Sequence, residues 1–169
     1  LAALDGLERP LVGRVQGAAY GGGVGLMAVC DVVVAEEDAR FALTETRLGL
    51  IPATISPYVL ARIGPGRARS VFLSGRAFGA EEGLRLGLVS RLAPAGRLDA
   101  AVAEEAGAFL AAAPGAVAAA KRLARDLGPR IDAGVIEATI ERLADVWETP
   151  EAEAGVGAFL EKRRPPWAR

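Results

Sequence analysis

Gly17-Ala18-Ala19-Tyr20-Gly21-Gly22-Gly23-Val24-Gly25-Leu26 runs into the apolar Met27-Ala28-Val29-Cys30 and then into Asp31-Val32-Val33-Val34-Ala35. The stretch reads as a glycine turn feeding a helix N-terminus, with a strand directly behind it. Glycine lets the main chain approach a ligand because no Cβ stands in the way. The first turn of a helix also leaves N–H donors unpaired and carries positive partial charge. Such a place suits a phosphate or a developing oxyanion.

Three readings of this run compete. Gly23-Val24-Gly25-Leu26-Met27-Ala28 fits the G-x-G-x-x-A of a dinucleotide-binding turn, with Glu36, Glu37 or Glu45 as its later acid. A crossover helix in that fold must span back along the sheet, yet only about two turns fit before Asp31. No further strand–helix–strand units follow residue 60 either. In the plainest reading the glycines serve only a close contact between helix and strand. The run alone does not separate that reading from a ligand site.

The next segment decides. Arg40-Phe41-Ala42-Leu43-Thr44-Glu45-Thr46-Arg47-Leu48-Gly49-Leu50-Ile51-Pro52 contains F-x-x-x-E-x-x-L-G-x-x-P. With Gly17 to Ala35 it resembles the core of the enoyl-CoA hydratase/isomerase, or crotonase, family, in which a glycine-rich oxyanion turn precedes a strand and then this motif. The resemblance continues through Leu73-Ser74-Gly75-Arg76, Ala80-Glu81-Glu82-Gly83 and Leu86-Gly87-Leu88-Val89, and ends at Phe159-Leu160-Glu161-Lys162-Arg163. It implies an α/β fold. The C-terminal part of a crotonase-like ββα spiral core is expected over residues 1–93, with an α-helical assembly region over 94–169. Leu1 to Leu7 reads as the last turns of a helix. The N-terminal portion carried by family members, including the loop that supplies the other oxyanion-hole N–H, is expected to be absent from this sequence.

Composition bounds the chemistry. Twenty Lys and Arg against 21 Asp and Glu, with 51% hydrophobic residues, suggest neither disorder nor electrostatic capture of nucleic acid. With no histidine and a single cysteine, a His-based triad, a Cys/His nucleophile pair and a zinc site are excluded within this chain, as is an internal disulfide. Cys30 reads as a small buried hydrophobe between helix and strand. No apolar run is long enough to span a bilayer and no signal-peptide pattern is present, so a cytoplasmic location without membrane contact is expected.

Along the chain, Pro10 to Val15 reads as a strand and Gly22 to Cys30 as a short buried helix. Val32 to Ala35 reads as a strand buried on both faces, and Arg40 to Leu43 as a short strand. A helix runs to Ile63 with Ser56 as N-cap and Pro57 at its first position, another runs from Gly66 to Leu73, and Leu88 to Leu92 returns to strand. Beyond Pro94 the sequence predicts helices over Asp99 to Ala112, Ala116 to Leu127, Ile131 to Glu148 and Glu151 to Arg163, separated by Pro114, Gly128-Pro129 and Pro150. Ile131, Val135, Ile136, Thr139, Ile140, Leu143 and Val146-Trp147 fall near one stripe. By its place in the family this stripe implies a helical layer serving assembly of a homotrimer or a dimer of trimers.

The site residues follow from the resemblance. Gly22 falls where a backbone N–H receives the thioester oxygen, and Glu45 on the carboxylate used as general acid or base near the substrate's α and β carbons. Desolvation by apolar neighbours would raise the Glu45 pKa toward a useful value; the plain alternative is a surface glutamate paired with Arg40 or Arg47. Phe41, Leu48, Pro52 and Tyr58 are expected to line the substrate pocket. No cofactor is expected to be held permanently, the CoA thioester being substrate, and no metal is expected.

Two departures qualify this. Hydratases of the best-known type carry a second glutamate where this chain has Gly25, which leaves hydration by one carboxylate or double-bond isomerisation as the two reactions open. Pro52-Ala53-Thr54-Ile55-Ser56-Pro57-Tyr58-Val59 resembles the bacterial branch that includes methylglutaconyl-CoA hydratases, implying a branched or carboxylated acyl group, with Arg47 a possible carboxylate partner. Phe159 and Lys162 match positions used against the nucleotide end of CoA; the alternative is a basic helix end balancing its dipole. A non-catalytic assembly module or an RNA-binding relative is the reading of another class. Arg62, Arg67, Arg69 and Arg76 would form its basic patch, but Glu81 and Glu82 dilute it and aromatics are few, which makes nucleic acid an unexpected partner.

Overall fold

The computed structural model describes residues 1–168. In chain order the elements are α1 (Ala2–Asp5), β1 (Val12–Val15), β2 (Ala18–Tyr20), α2 (Gly22–Ala28), β3 (Val32–Glu36), β4 (Arg40–Ala42), a 3-10 helix (Glu45–Leu48), α3 (Ser56–Ile63), α4 (Pro65–Phe72), β5 (Phe78–Gly79), α5 (Ala80–Leu86) and β6 (Arg91–Ala93). From there the chain is helical: α6 (Leu98–Leu110), α7 (Pro114–Asp126), α8 (Ala133–Trp147) and α9 (Pro150–Leu160).

The strands form two small sheets. One is parallel in the order β1-β3-β6, with Val12 opposite Val32 and Val34 opposite Arg91. The other has the order β2-β4-β5, with β2 and β4 parallel and β5 antiparallel to β4. The run Val32 to Ala35 needs cover on both faces, and it has it. Val33 and Ala35 face the main core with Val24 and Met27 of α2 and Val59 and Ile63 of α3, while Val34 packs with Leu98 and Ala101 of α6. A continuous apolar strand is therefore spent on two layers at once.

Several expectations shift by local hydrogen bonding. Strand pairing at the end of the α/β part begins at Arg91 instead of Leu88. Ser90 Oγ accepts from Val33 N at 3.0 Å while Ser90 N donates to Val33 O at 2.8 Å, so a side chain takes part of the ladder's work. Ser56 is not the N-cap of α3. Ile55 is, and Ser56 Oγ donates back to Ala53 O at 2.8 Å. The short β2, β5 and α5 had no sequence signal long enough to register as separate elements. Cys30 is half-buried, its thiol donating to Leu26 O at 3.3 Å, and burial pushes its pKa up.

The helices after Ala93 are held in different ways. α6 lies on β1 and β3, α9 lies on the 3-10 helix, and α8 bridges α3 and α9. α7 has no fully buried residue; ion pairs fasten it, Lys121 to Asp31 at 2.7 Å, Arg122 to Glu8 at 2.6 Å and Arg125 to Asp5 at 3.4 Å. Among the described residues no single helix is long and apolar enough to cross a membrane.

Candidate functional site

The glycine turn places Gly21 at φ +49°, a conformation that a side chain would strain. Gly21 N donates to Ala42 O at 2.9 Å, tying the turn to the end of β4. Gly21 O accepts from Val24 N at 3.0 Å and Gly25 N at 3.2 Å. That leaves the N–H groups of Gly22 and Gly23 without a backbone acceptor among the described residues. Gly22 is exposed, and a Cβ built on it would meet nothing within 4 Å. The α2 terminus thus presents bare N–H groups to open space.

Glu45 faces that terminus. A Cβ built on Gly21 would lie 3.1 Å from Glu45 Oε1, so the carboxylate rests against the turn. Its other oxygen, Oε2, is buried with no hydrogen-bond partner. Burial raises the Glu45 pKa, outweighing a bond from its own main-chain N–H that acts in the opposite direction. Neither Arg40 nor Arg47 pairs with it among the recorded ion pairs, so the surface-pair alternative is not what this geometry contains.

The 3-10 helix that carries Glu45 is clamped from two sides. Thr46 Oγ1 donates to Phe72 O at 3.0 Å, joining it to the end of α4. On the other side α9 approaches backbone to backbone. A Cβ on Gly155 would stand 3.0 Å from Leu48 Cα, and one on Gly49, at φ +72°, would stand 2.9 Å from Ala152 N. Only glycine at both positions permits this approach, which seats α9 against the 3-10 helix that carries Glu45.

Glu45 and Gly22 open onto one cavity of about 420 Å³. Its wall is formed by Leu1, Leu50 to Ile55, and Leu143 and Trp147 from α8. Among its described lining residues, Glu45 and Thr54 are the ones with polar side chains. Of the four expected pocket residues only Pro52 lies on it. Phe41 is fully buried in the core, its ring 5.6 Å from that of Phe78, because β4 turns it inward beneath the site. Leu48 faces a separate cavity with Arg47, Phe159, Arg163 and Trp167. Tyr58 is buried on α3 and borders a third with Cys30, Arg62 and Lys121.

The Gly25 position is filled by its neighbour. A Cβ there would come within 2.9 Å of Ile55 Cβ and 3.5 Å of Leu1 Cδ1. Arg47 is turned away from Glu45's cavity, which has no Lys or Arg in its lining. Phe159 is exposed on α9 and Lys162 follows at φ +54°; neither borders the Glu45 cavity. Arg62 is committed to the carbonyls of Cys30 and Gly87 and to Ser90 Oγ, and Arg76 to Glu82, which removes two members of the basic patch. Leu143, Trp147, Thr54 and Ile55 are wall residues that sequence reasoning missed. Leu143 and Trp147 had registered only as part of an apolar stripe.

The enoyl-CoA hydratase/isomerase family profile matches residues 1–169. A Thermus thermophilus protein named as a candidate enoyl-CoA hydratase is 35% identical over 164 residues, covering 93% of this chain and 62% of that protein. A carnitinyl-CoA dehydratase of Salmonella typhi is 31% identical over 172 residues, covering 99% of this chain and 66% of its own length. The crystal structure of an enoyl-CoA hydratase from Mycobacterium avium superposes with a TM-score of 0.85 at 32% identity, over 99% of this chain and 66% of that one. The chain thus spans less than two thirds of the length of the curated relatives it matches. On fold, motif and profile together, it belongs to the enoyl-CoA hydratase/isomerase family.

Proposed function

We propose that this chain carries the acid/base half of an enoyl-CoA hydratase, adding water across the double bond of an α,β-unsaturated acyl-CoA thioester to give the 3-hydroxyacyl-CoA. The observation that carries the reading is a carboxylate with one unpartnered oxygen, set in an apolar cavity beside the open N–H groups of α2. The thioester oxygen sits against Gly22 N–H, where developing enolate charge meets a donor already aimed at it. One such donor is worth roughly a hundredfold or more in rate. Glu45, with its pKa raised by burial, takes a proton from the water whose oxygen bonds to the β carbon and delivers a proton to the α carbon, ending in its starting state. Thr54, the neutral polar side chain among the described lining residues, holds the added water in this reading.

The acyl group is taken to be apolar and branched, in keeping with the bulk of Leu50, Ile51 and Ile55. A carboxylated acyl group finds no cation in this lining. No resident cofactor enters the chemistry; Phe159 and Lys162 remain proposed contacts for the nucleotide end of CoA, from this subunit or a neighbouring one. The second reading, movement of the double bond without water, is favoured by the packing of Ile55 into the space beside Gly25, which leaves a single carboxylate in the site. Straight and branched 2-enoyl- and 3-enoyl-CoA esters incubated in deuterated water separate the two. A 3-hydroxyacyl-CoA product supports hydration, whereas a shifted double bond with no added water replaces it with isomerisation.

A further inference from the structure

Trp147 stands at the end of α8 between two cavities. On one side is the 420 Å³ cavity that holds Glu45. On the other is a cavity of about 480 Å³ between the end of α8 and α9, bordered by Glu148, Thr149, Ala152, Glu153, Val156 and Leu160. Among the described residues Trp147 is the one that borders both, and it is 53% exposed. Ala152, Val156 and Leu160 give the far cavity a mainly apolar side, with Glu148 and Glu153 on its border, and hydrocarbon passing the indole would lie along that side.

We infer that Trp147 is the specificity-determining wall that limits the length of the acyl group, closing the Glu45 cavity off from the space along α9. The inference rests on the acyl-CoA reading for its biological ligand, but its physical content, one tryptophan bordering two mainly apolar cavities, does not. Hydrocarbon entering an apolar cavity gains roughly fourfold in affinity per buried methylene, and the gain stops where the chain meets a wall. In the wild-type protein affinity therefore rises with acyl length and then levels off. With the indole removed the rise continues into the second cavity.

The test compares wild type with Trp147→Ala, after thermal unfolding has shown the variant to be folded. Should Trp147→Ala not fold, Trp147→Leu, which keeps an apolar side chain, carries the same comparison. Dissociation constants are measured for saturated acyl-CoA esters and for free n-alkanoates of four, eight and twelve carbons, with turnover of the matching enoyl-CoA esters. The expected result is a plateau in wild type and, in the variant, at least about a tenfold gain for the twelve-carbon ligand with little change for the four-carbon one. Identical length profiles, or no binding of either ligand series to either protein, overturn the inference. If the alkanoates show the predicted difference while no acyl-CoA ester binds or turns over, the wall stands and the acyl-CoA reading fails.

Discussion

Gly25 and Ile55 share one volume, and that packing decides how many acids the site can hold. A side chain at residue 25 enters space already taken by Ile55. Gly25→Glu is accordingly expected to cost about 1 to 3 kcal/mol from overpacking alone. In the Gly25→Glu/Ile55→Ala double variant part of that loss returns, and a double-mutant cycle on chemical unfolding reads the coupling. Strict additivity would show that the two side chains do not compete. Glu45 has the opposite problem, a charge held where water does not reach one of its oxygens. Because burial raises its pKa, the folded protein holds that proton more tightly than the unfolded chain does. The associated stability is fully present below the ordinary carboxylate range and is lost as pH rises through the raised value. Glu45→Gln, which cannot ionise, should unfold at a higher temperature than wild type at neutral pH, with the gap closing in acid; a gap that widens in acid contradicts this. That Gly22 starts a helix and Glu45 lies close behind it was legible in the sequence because turn and motif are local, and the structure has both on one cavity. Ile55 and Trp147 were not legible, since their place on the wall depends on how distant segments dock, and Phe41 misled because a strand sends alternate side chains to opposite faces.

At the scale of elements, the site is a junction of three short pieces, the α2 terminus, the 3-10 helix and the Leu50 to Ile55 loop, steadied by longer helices behind them. The contact of α9 with the 3-10 helix is main chain on main chain, through Gly155 and Gly49. Gly155→Ala should push the 3-10 helix off its seat, cost roughly 1 to 3 kcal/mol of stability and lower kcat more than it alters ligand affinity. A variant as stable and as active as wild type would show that α9 does not position Glu45. The strands and long helices were readable from apolar runs, prolines and alanine content, and the observed ends differ by a few residues. The close approach of α9 had no such signal, because a glycine inside a helix looks like weak propensity until its neighbour is known.

For the whole molecule, the helices after Ala93 divide into those that complete the core and those that do not. α6 and α9 bury residues against the sheets and the 3-10 helix, whereas α7 and α8 bury none completely. Leu110 and Leu127 stand 87% and 80% exposed, with Leu123 and Ile140 also open to solvent. Apolar surface spread over neighbouring helices is the mark of an interface, and we propose that it is covered in a homotrimer or a dimer of trimers. Sedimentation at micromolar concentration should give three or six copies; a stable monomer contradicts the proposal. The central claim, that Glu45 moves the proton in a hydration of enoyl-CoA, is tested most directly by turnover of a 2-enoyl-CoA ester in deuterated water by wild type and Glu45→Gln. The account predicts a 3-hydroxyacyl-CoA labelled at the α carbon from wild type. In the folded variant kcat should fall by at least about a hundredfold, with ester binding little changed. Labelled product formed by Glu45→Gln at near wild-type rate would contradict it.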